Sequence, residues 1–170
     1  MELFCRLMHT AILGIGGNLG DRQSNLELGR KWISTEIGTI TRASAIYQTA
    51  AWGMDNAPDF YNQVLVVATP QTPHELMENC HHIEEKLGRE RKVGEYLSRK
   101  LDIDILTFDD EVIATESVKI PHPKMHERLF VLVPLAEVAP DWKHPKLGKT
   151  ATELAKACDD EGKITRLDEA

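Results

Sequence analysis

Cysteine is scarce in this chain, and the few present form no framework. Cys5, Cys80 and Cys158 are odd in number and show no Cys-x-x-Cys spacing. That excludes a disulfide scaffold and reads as reduced thiols in a cytoplasmic protein. No apolar run approaches the length of a membrane span. The leader Met1-Glu-Leu-Phe-Cys-Arg-Leu-Met8-His-Thr10 lacks the long apolar core and small-residue cleavage site of a secretory signal. Positive charge is in deficit as well: 20 Lys and Arg stand against 27 Asp and Glu, a net charge of −7. A general nucleic-acid binder is therefore not expected. Repeats, low-complexity tracts and linkers are also missing.

What remains is an ordinary globular composition, 42% hydrophobic and 28% charged over 170 residues, which suits one domain with a single sizeable core. Residues 1–10 read as an N-terminal extension, with Met8 as an alternative start, and 11–170 as the domain. Against the acidic background, five basic residues (Arg89, Arg91, Lys92, Arg99, Lys100) gather between 89 and 100 beside two acids, Glu90 and Glu95. One basic loop on an acidic protein suits a small polyanion better than a duplex.

The basic stretch runs into Arg99-Lys-Leu-Asp102-Ile-Asp104. On a strand Asp102 and Asp104 point the same way, with Cα atoms ~6.6 Å apart. At an effective dielectric of about 20, two bare carboxylates at that distance repel by roughly 2.5 kcal/mol. Something positive belongs between them, and a hard divalent cation is the natural candidate. Such a pair is more often the solvated face of a half-buried strand. Here, however, Leu101, Ile103 and Ile105 form an apolar opposite face, and the acidic face itself turns apolar at Leu106 and Phe108. The pattern predicts a sheet face covered at one end and open at the acids, where a magnesium–nucleotide site would lie.

Elsewhere the pattern predicts a short buried strand at 11–15, a turn at 16–21, and a helix with Asp21 as cap, Leu26, Gly29, Ile33 and Ile37 on one face, and Gly38 as stop. Strand character follows at 39–49 and 62–68. Thr72-Pro73-His74-Glu75 is a capping box with proline at the first helical position, opening a helix through Leu76, Cys80, Ile83 and Leu87. The strand at 101–107 is expected to turn at Asp109-Asp110 into a hairpin partner at 111–113. A short extended piece at 118–120 and helices at 123–132 and 150–158 complete the chain. The order β-α-β-β-α-β predicts an α+β fold, a ferredoxin-like α/β sandwich with an appended hairpin and C-terminal helices.

Three motifs fail on inspection. Gly14 to Gly20 approximates GxGxxG with its last glycine one place late, and Gly148-Lys149-Thr150 approximates a P-loop with Lys143 where the first glycine belongs. Both read as structural, a tight turn and a helix start. His122 and His126 are four apart, but no third ligand is suitably placed for zinc.

The constellation that remains closely resembles the 6-hydroxymethyl-7,8-dihydropterin pyrophosphokinase family, over about residues 11–140. It comprises Gly16-Gly-Asn-Leu-Gly-Asp21, Tyr47-Gln-Thr49, Pro58-Asp-Phe-Tyr-Asn62, Ile83-Glu84, Gly88-Arg-Glu-Arg91, Arg99-Lys-Leu-Asp-Ile-Asp104, Pro121-His122 and Arg128-Leu-Phe130, in the right order at near-identical separations. Taken singly, Phe60 and Phe130 would be core aromatics, Asn62 a turn residue, Arg89 and Arg91 solvated charge and Glu84 an exposed helix residue.

The resemblance implies a cytoplasmic, monomeric enzyme of folate biosynthesis that transfers pyrophosphate from ATP to the pterin hydroxymethyl group and releases AMP. It implies two magnesium ions held by Asp102 and Asp104, with Arg89, Arg91 and Arg99 acting on the phosphates. Glu84, Tyr96, His122 and Arg128 would be further nucleotide contacts. Thr49, Trp52, Phe60, Asn62 and Phe130 would hold the pterin, the two rings stacking and the amide reading an edge. Neither a nucleic acid nor a membrane is implied as a partner.

Several positions depart from the family pattern. Gly17 replaces a common Ser, Ala50-Ala51 replaces Pro-Pro, Phe60 a frequent Tyr and Trp52 a frequent Leu. Tyr96-Leu97-Ser98 replaces an aromatic-Gly-Pro run, and Ser117 an Arg near ATP. Two rival expectations are a catalytically degenerate nucleotide- or pterin-binding relative, and a ferredoxin-like interaction domain whose acidic strand is incidental.

Overall fold

A computed structural model describes residues 7–51, 54–88 and 98–167. The fold is a mixed helix and sheet architecture around an antiparallel sheet. Its elements are β1 (His9–Gly17), α1 (Arg22–Glu36), β2 (Thr39–Ala43), β3 (Ile46–Thr49), β4 (Phe60–Thr69), α2 (Pro73–Lys86), β5 (Asp102–Phe108), β6 (Ile113–Ala114), β7 (Lys119–Ile120), α3 (Leu129–Val138), α4 (Ala151–Ala157) and β8 (Ile164–Leu167). The main sheet runs β5-β1-β4-β3-β8, and β2 also pairs with β4, beyond β3 along the same edge.

The sheet separates two cores. On one face α1 and α2 bury Leu26, Ile33, Leu76, Cys80 and Ile83 against Leu13, Ile15, Leu65, Ile103 and Ile105. On the other, α3 packs Val131, Leu135 and Val138 onto Ile12, Val64, Val66 and Leu106. Each such aliphatic side chain removed from water stabilises the fold by about 1.5–3 kcal/mol. Both expected caps form: Asp21 accepts the Ser24 amide, and Thr72 and Glu75 close a reciprocal capping box. Gly88 ends α2 with a φ of 85°, a conformation glycine adopts without a Cβ penalty.

Several expectations need correction. The 39–49 stretch is two strands, because at Ser44 the hydroxyl takes the place of the backbone carbonyl in accepting the Val64 amide, while the Ser44 amide still donates to the Val64 carbonyl. β5 makes no hairpin with β6; β6 pairs with β7, while the His122 amide donates to the Leu106 carbonyl. The expected 123–132 helix is a single 3-10 turn at Met125–Glu127 followed by α3. β8 had no sequence signal strong enough to predict it. His9 and Thr10 belong to β1, paired with Thr69 and Ala68, so that the sheet already includes the last two positions of the expected extension.

Phe108 also changes sides. Leu13 faces Ile105 and Ile12 faces Thr107, so Leu106 is an extra residue in β5. This bulge keeps Leu106 on the face of the aspartates and sends Phe108 to the α1–α2 core.

Candidate active site

The bulge leaves the acidic face of β5 as the alternation predicts. Leu106 lies beneath the packing of Met125 and Val131, and toward the strand start Asp104 and Asp102 emerge half-buried. Across the antiparallel register Asp104 stands opposite Gly14 and Asp102 opposite Gly16. The neighbouring strand therefore presents no side chain beside either acid. A small cavity of about 40 Å³ results, lined by Gly14, Gly16, Asn62, Asp102, Asp104 and Phe130 among others.

This cradle suits a hydrated hard cation. Among the described residues no group of three or more His, Cys, Asp and Glu gathers to hold a metal. A site with two carboxylates is therefore the kind that relies on oxygen ligands from a phosphorylated substrate, as magnesium sites commonly do.

Arg99 lies over the mouth of the cradle, with Nη1 3.6 Å from Asp102 Oδ2 and its guanidinium 5.9 Å from the Phe60 ring centre. Its Nε is buried and has no hydrogen-bond partner among the described residues, a costly state that an incoming anion would relieve. The backbone beneath this side chain is clamped. Asn18, 1% exposed, accepts the Arg99 amide on Oδ1 at 2.9 Å and donates Nδ2 to Ser98 Oγ at 3.0 Å and to the Pro58 carbonyl at 3.2 Å. The amides of Asn18 and Leu19 both donate to the Arg99 carbonyl. Gly17 permits the approach, since a Cβ there would run into the Lys100 carbonyl oxygen.

Glu84 is 1% exposed and does not line this small cavity. Its Oε1 accepts the Ile103 amide at 2.7 Å, so α2 grips the edge of β5 at the residue between the two aspartates. The exposed helix position that its sequence context suggested is corrected to a buried one, because α2 presents Glu84 on its core face with Cys80. Together with Asp104, this carboxylate adds to burial in pushing the Cys80 thiol well above its usual range.

A second cavity, of about 780 Å³, opens from Asp102 and Arg99 and passes Thr49, Phe60, Asn62 and Phe130. Asn62 Nδ2 donates to Thr49 Oγ1 at 2.8 Å, which fixes the amide plane against the sheet. Phe60 starts β4 and Phe130 lies in the first turn of α3, both half-buried. The Arg128 guanidinium carbon lies 5.6 Å from the Phe130 ring centre. His122 is held well below the ordinary histidine range, to about 4, by burial first and by Arg128 next, against an opposing pull from Asp102. It is therefore a neutral imidazole at physiological pH, and its Nδ1 accepts the Lys124 amide at 3.2 Å.

Arg99, Asp102, Thr49, Phe60, Asn62, Arg128 and Phe130 share the larger cavity, and Asp104 joins them through the smaller one. Arg89, Arg91, Trp52 and Tyr96 lie outside the described residues. Ser117 is exposed, with Oγ 3.4 Å from His74 Nδ1.

The sequence reading missed Asn18 as a clamp, Gly14 and Gly16 as the cradle, and Lys124, Lys149 and Asp160 as lining. Only the glycines left a usable signal: Gly14-x-Gly16 on β1 has the same alternation as Asp102-x-Asp104 on β5.

Known proteins match this arrangement. A family model described as 7,8-dihydro-6-hydroxymethylpterin-pyrophosphokinase (HPPK) matches residues 12–140. The chain is similar to the 2-amino-4-hydroxy-6-hydroxymethyldihydropteridine pyrophosphokinase of Synechocystis, 36% identical over 157 residues, covering 92% of this chain and 80% of that one. It is similar to the protein of the same name from Bacillus subtilis, 40% identical over 129 residues, covering 75% and 77% respectively. It also resembles a crystal structure of Plasmodium falciparum HPPK-DHPS, with a TM-score of 0.71 at 17% identity, covering 88% of this chain and 44% of that one. This chain thus spans less than half of that longer protein, and the likeness there concerns the fold alone.

Proposed function

The chain belongs to the 7,8-dihydro-6-hydroxymethylpterin-pyrophosphokinase family, and from that premise we propose how its cavity performs the reaction. It is a diphosphotransferase of folate biosynthesis. Pyrophosphate passes from ATP to the hydroxymethyl group of 6-hydroxymethyl-7,8-dihydropterin, giving AMP and the pterin diphosphate.

The pterin lies between Phe60 and Phe130, with the Asn62 amide and Thr49 at its edge, because flat rings and a fixed amide suit a flat heterocycle with donors and acceptors on its rim. ATP places its triphosphate toward Arg99 and the aspartates, where the buried Nε of Arg99 finds an acceptor. Arg89, Arg91, Tyr96, Arg128 and neutral His122 add nucleotide contacts, and Trp52 a pterin contact. Glu84 serves the nucleotide indirectly, by holding the β5 backbone between the metal ligands. The substrate hydroxyl oxygen bonds to the β-phosphorus as the bridge to the α-phosphate breaks, AMP leaves with the bridging oxygen, and the hydroxyl proton passes to solvent. Asp102 and Asp104 would hold two magnesium ions. When bound, these would neutralise the triphosphate and align the attacking and leaving oxygens. The arginines stabilise the charge spread over the transferring group.

The observation that carries this reading is the register of β1 on β5, with glycine opposite each aspartate: a carboxylate pair on a solvated strand would have no need of an empty cradle beside it. We also read the β-α-β-β-α-β core as ferredoxin-like, supported by the strand order β5-β1-β4-β3. The protein is proposed to act as a cytoplasmic monomer, without nucleic acid or membrane as a partner; no helix among the described residues is long and apolar enough to cross a membrane.

Incubation with ATP, magnesium and the reduced pterin should yield AMP and pterin diphosphate in equal amounts. Formation of ADP, or no pterin-dependent turnover by folded protein, would refute the proposal. Magnesium-dependent ATP binding without turnover would identify a degenerate relative.

A further inference from the structure

The first turn of α3 carries Phe130 and follows Arg128, yet the residue at its cap position, Arg128, makes no side-chain cap. An arginine has no acceptor to offer. The Leu129 amide, at the peptide joining Arg128 to the helix, instead donates to Asp160 Oδ2 at 3.0 Å. The other oxygen of the same carboxylate accepts the Gly162 amide at 2.8 Å. Both oxygens of Asp160 are thus engaged with backbone: one at the start of α3, the other in the turn that leads to β8. Two residues past Gly162, β8 begins with Ile164, which pairs with Thr49 at the end of β3. Thr49 is in turn bonded to Asn62.

The stretch from Asp160 to Ile164 therefore ties one wall of the large cavity to the other. Phe130 belongs to α3, whose first amide Asp160 holds, whereas Thr49 and Asn62 belong to the sheet strands β3 and β4, and all four line the cavity. The tie lies beyond residue 140, where the matched family region ends.

We infer that Asp160 is a positioning residue, which sets the separation between the Phe130 wall and the Thr49–Asn62 wall and thereby the fit of the pterin. The inference rests on the pterin reading of this cavity. A carboxylate is the right group for the task, because it supplies acceptors to amides diverging in two directions and its charge is favoured at the N-terminal end of a helix. Stacking is sensitive to the separation: a gap of half to one ångström forfeits a quarter to a half of the contact energy. Arg128 is less affected than Phe130, because a long, flexible side chain can recover its phosphate contact where a ring fixed in a helical turn cannot.

The test uses steady-state kinetics and thermal unfolding of the whole chain. In D160A the KM for the pterin should rise about tenfold while the KM for ATP stays within about twofold. In D160N, where the amide can accept only one of the two N–H groups, the pterin KM should rise by an intermediate factor. A pterin KM unchanged in both variants, with only the unfolding temperature lowered, would overturn the inference, since that is the mark of a cap that merely stabilises. Equal rises in the two KM values would overturn it too. Should D160A fail to fold, D160N decides alone: a raised pterin KM supports the tie and an unchanged one refutes it. A wild-type protein that forms no AMP would bring down the pterin reading itself, whatever the variants do.

Discussion

The β5 side of the cavity takes its charged residues from six consecutive positions, Arg99 to Asp104. The rest of its lining takes Thr49, Asn62, Phe130 and Asp160 from four separate parts of the chain. The first works through charge: two carboxylates and a guanidinium whose interaction is set by strand alternation and one bulge. The second works through shape, with rings, an amide and a helix start held at a spacing that no local pattern encodes. Loss of a charge on the first side should remove chemistry and leave the fold, because neither aspartate belongs to a hydrophobic core. Changes on the second should weaken the hold on one substrate and leave the chemistry.

The sharpest break of this contrast is Asp102→Ala or Asp104→Ala. Each should lower turnover by about 10³-fold or more, on the order of 4 kcal/mol of transition-state stabilisation. Circular dichroism and the unfolding temperature should stay close to wild type. A variant retaining near-normal turnover would end the metal assignment.

Next comes the cradle. At Gly14 the atoms nearest an added Cβ would be those of the Leu106 side chain, at 3.6 Å, an ordinary contact. Gly14→Ala should therefore fold normally, and exchanging glycine for a side chain within a strand costs no stability. It narrows the space beside Asp104, and the magnesium concentration for half-maximal activity should rise roughly tenfold, about 1.4 kcal/mol. An unchanged magnesium titration would show that the emptiness of β1 is not functional.

Phe130→Ala tests the shape side. The pterin KM should rise about tenfold, matching the ~0.5–1.5 kcal/mol of ring stacking plus lost contact area, while the KM for ATP moves little.

The smallest effect lies outside both walls. His144 is 4% exposed, and its Nδ1 accepts the amides of Lys146 and Leu147, each at 3.2 Å. Burial first, then the neighbouring His126, holds its pKa below the ordinary histidine value. The unfolded chain then takes up a proton on this residue at a higher pH than the folded chain does. The associated stability is present above about pH 6.5 and is lost as pH falls through the lowered folded pKa. Thermal melts of wild type against His144→Asn from pH 7.5 to 5 should show a steeper acid-side fall in the wild type. Parallel curves would remove His144 as the cause.

How much was legible follows the same division. Asp21, Thr72 and Glu75 cap their helices as their spacing suggested, because a cap is decided within four residues. Asp102 and Asp104 share a face because alternation is a property of one strand. Phe108 was misassigned because the bulge at Leu106 arises from pairing with β1, which a single strand cannot reveal. Glu84 looked like an exposed helix residue, and only the packing of α2 against the edge of β5 turned its carboxylate to the Ile103 amide. β8 went unseen because its half-exposed residues become a strand only when β3 offers an edge to pair with.

By itself, then, the sequence determined the elements whose causes are local: the capped helices, the alternating acid pair and the basic approach to it. The ordered motifs along its length identified the family. Tertiary structure alone decided that Gly14 and Gly16 would lie beside the acids, that Asn18 would hold the peptide of Arg99, and that Asp160 would cap a helix begun 31 positions earlier. The reason is physical. Backbone periodicity acts over a few residues, whereas an empty space or a hydrogen bond across a cavity exists only once distant segments have been brought into contact.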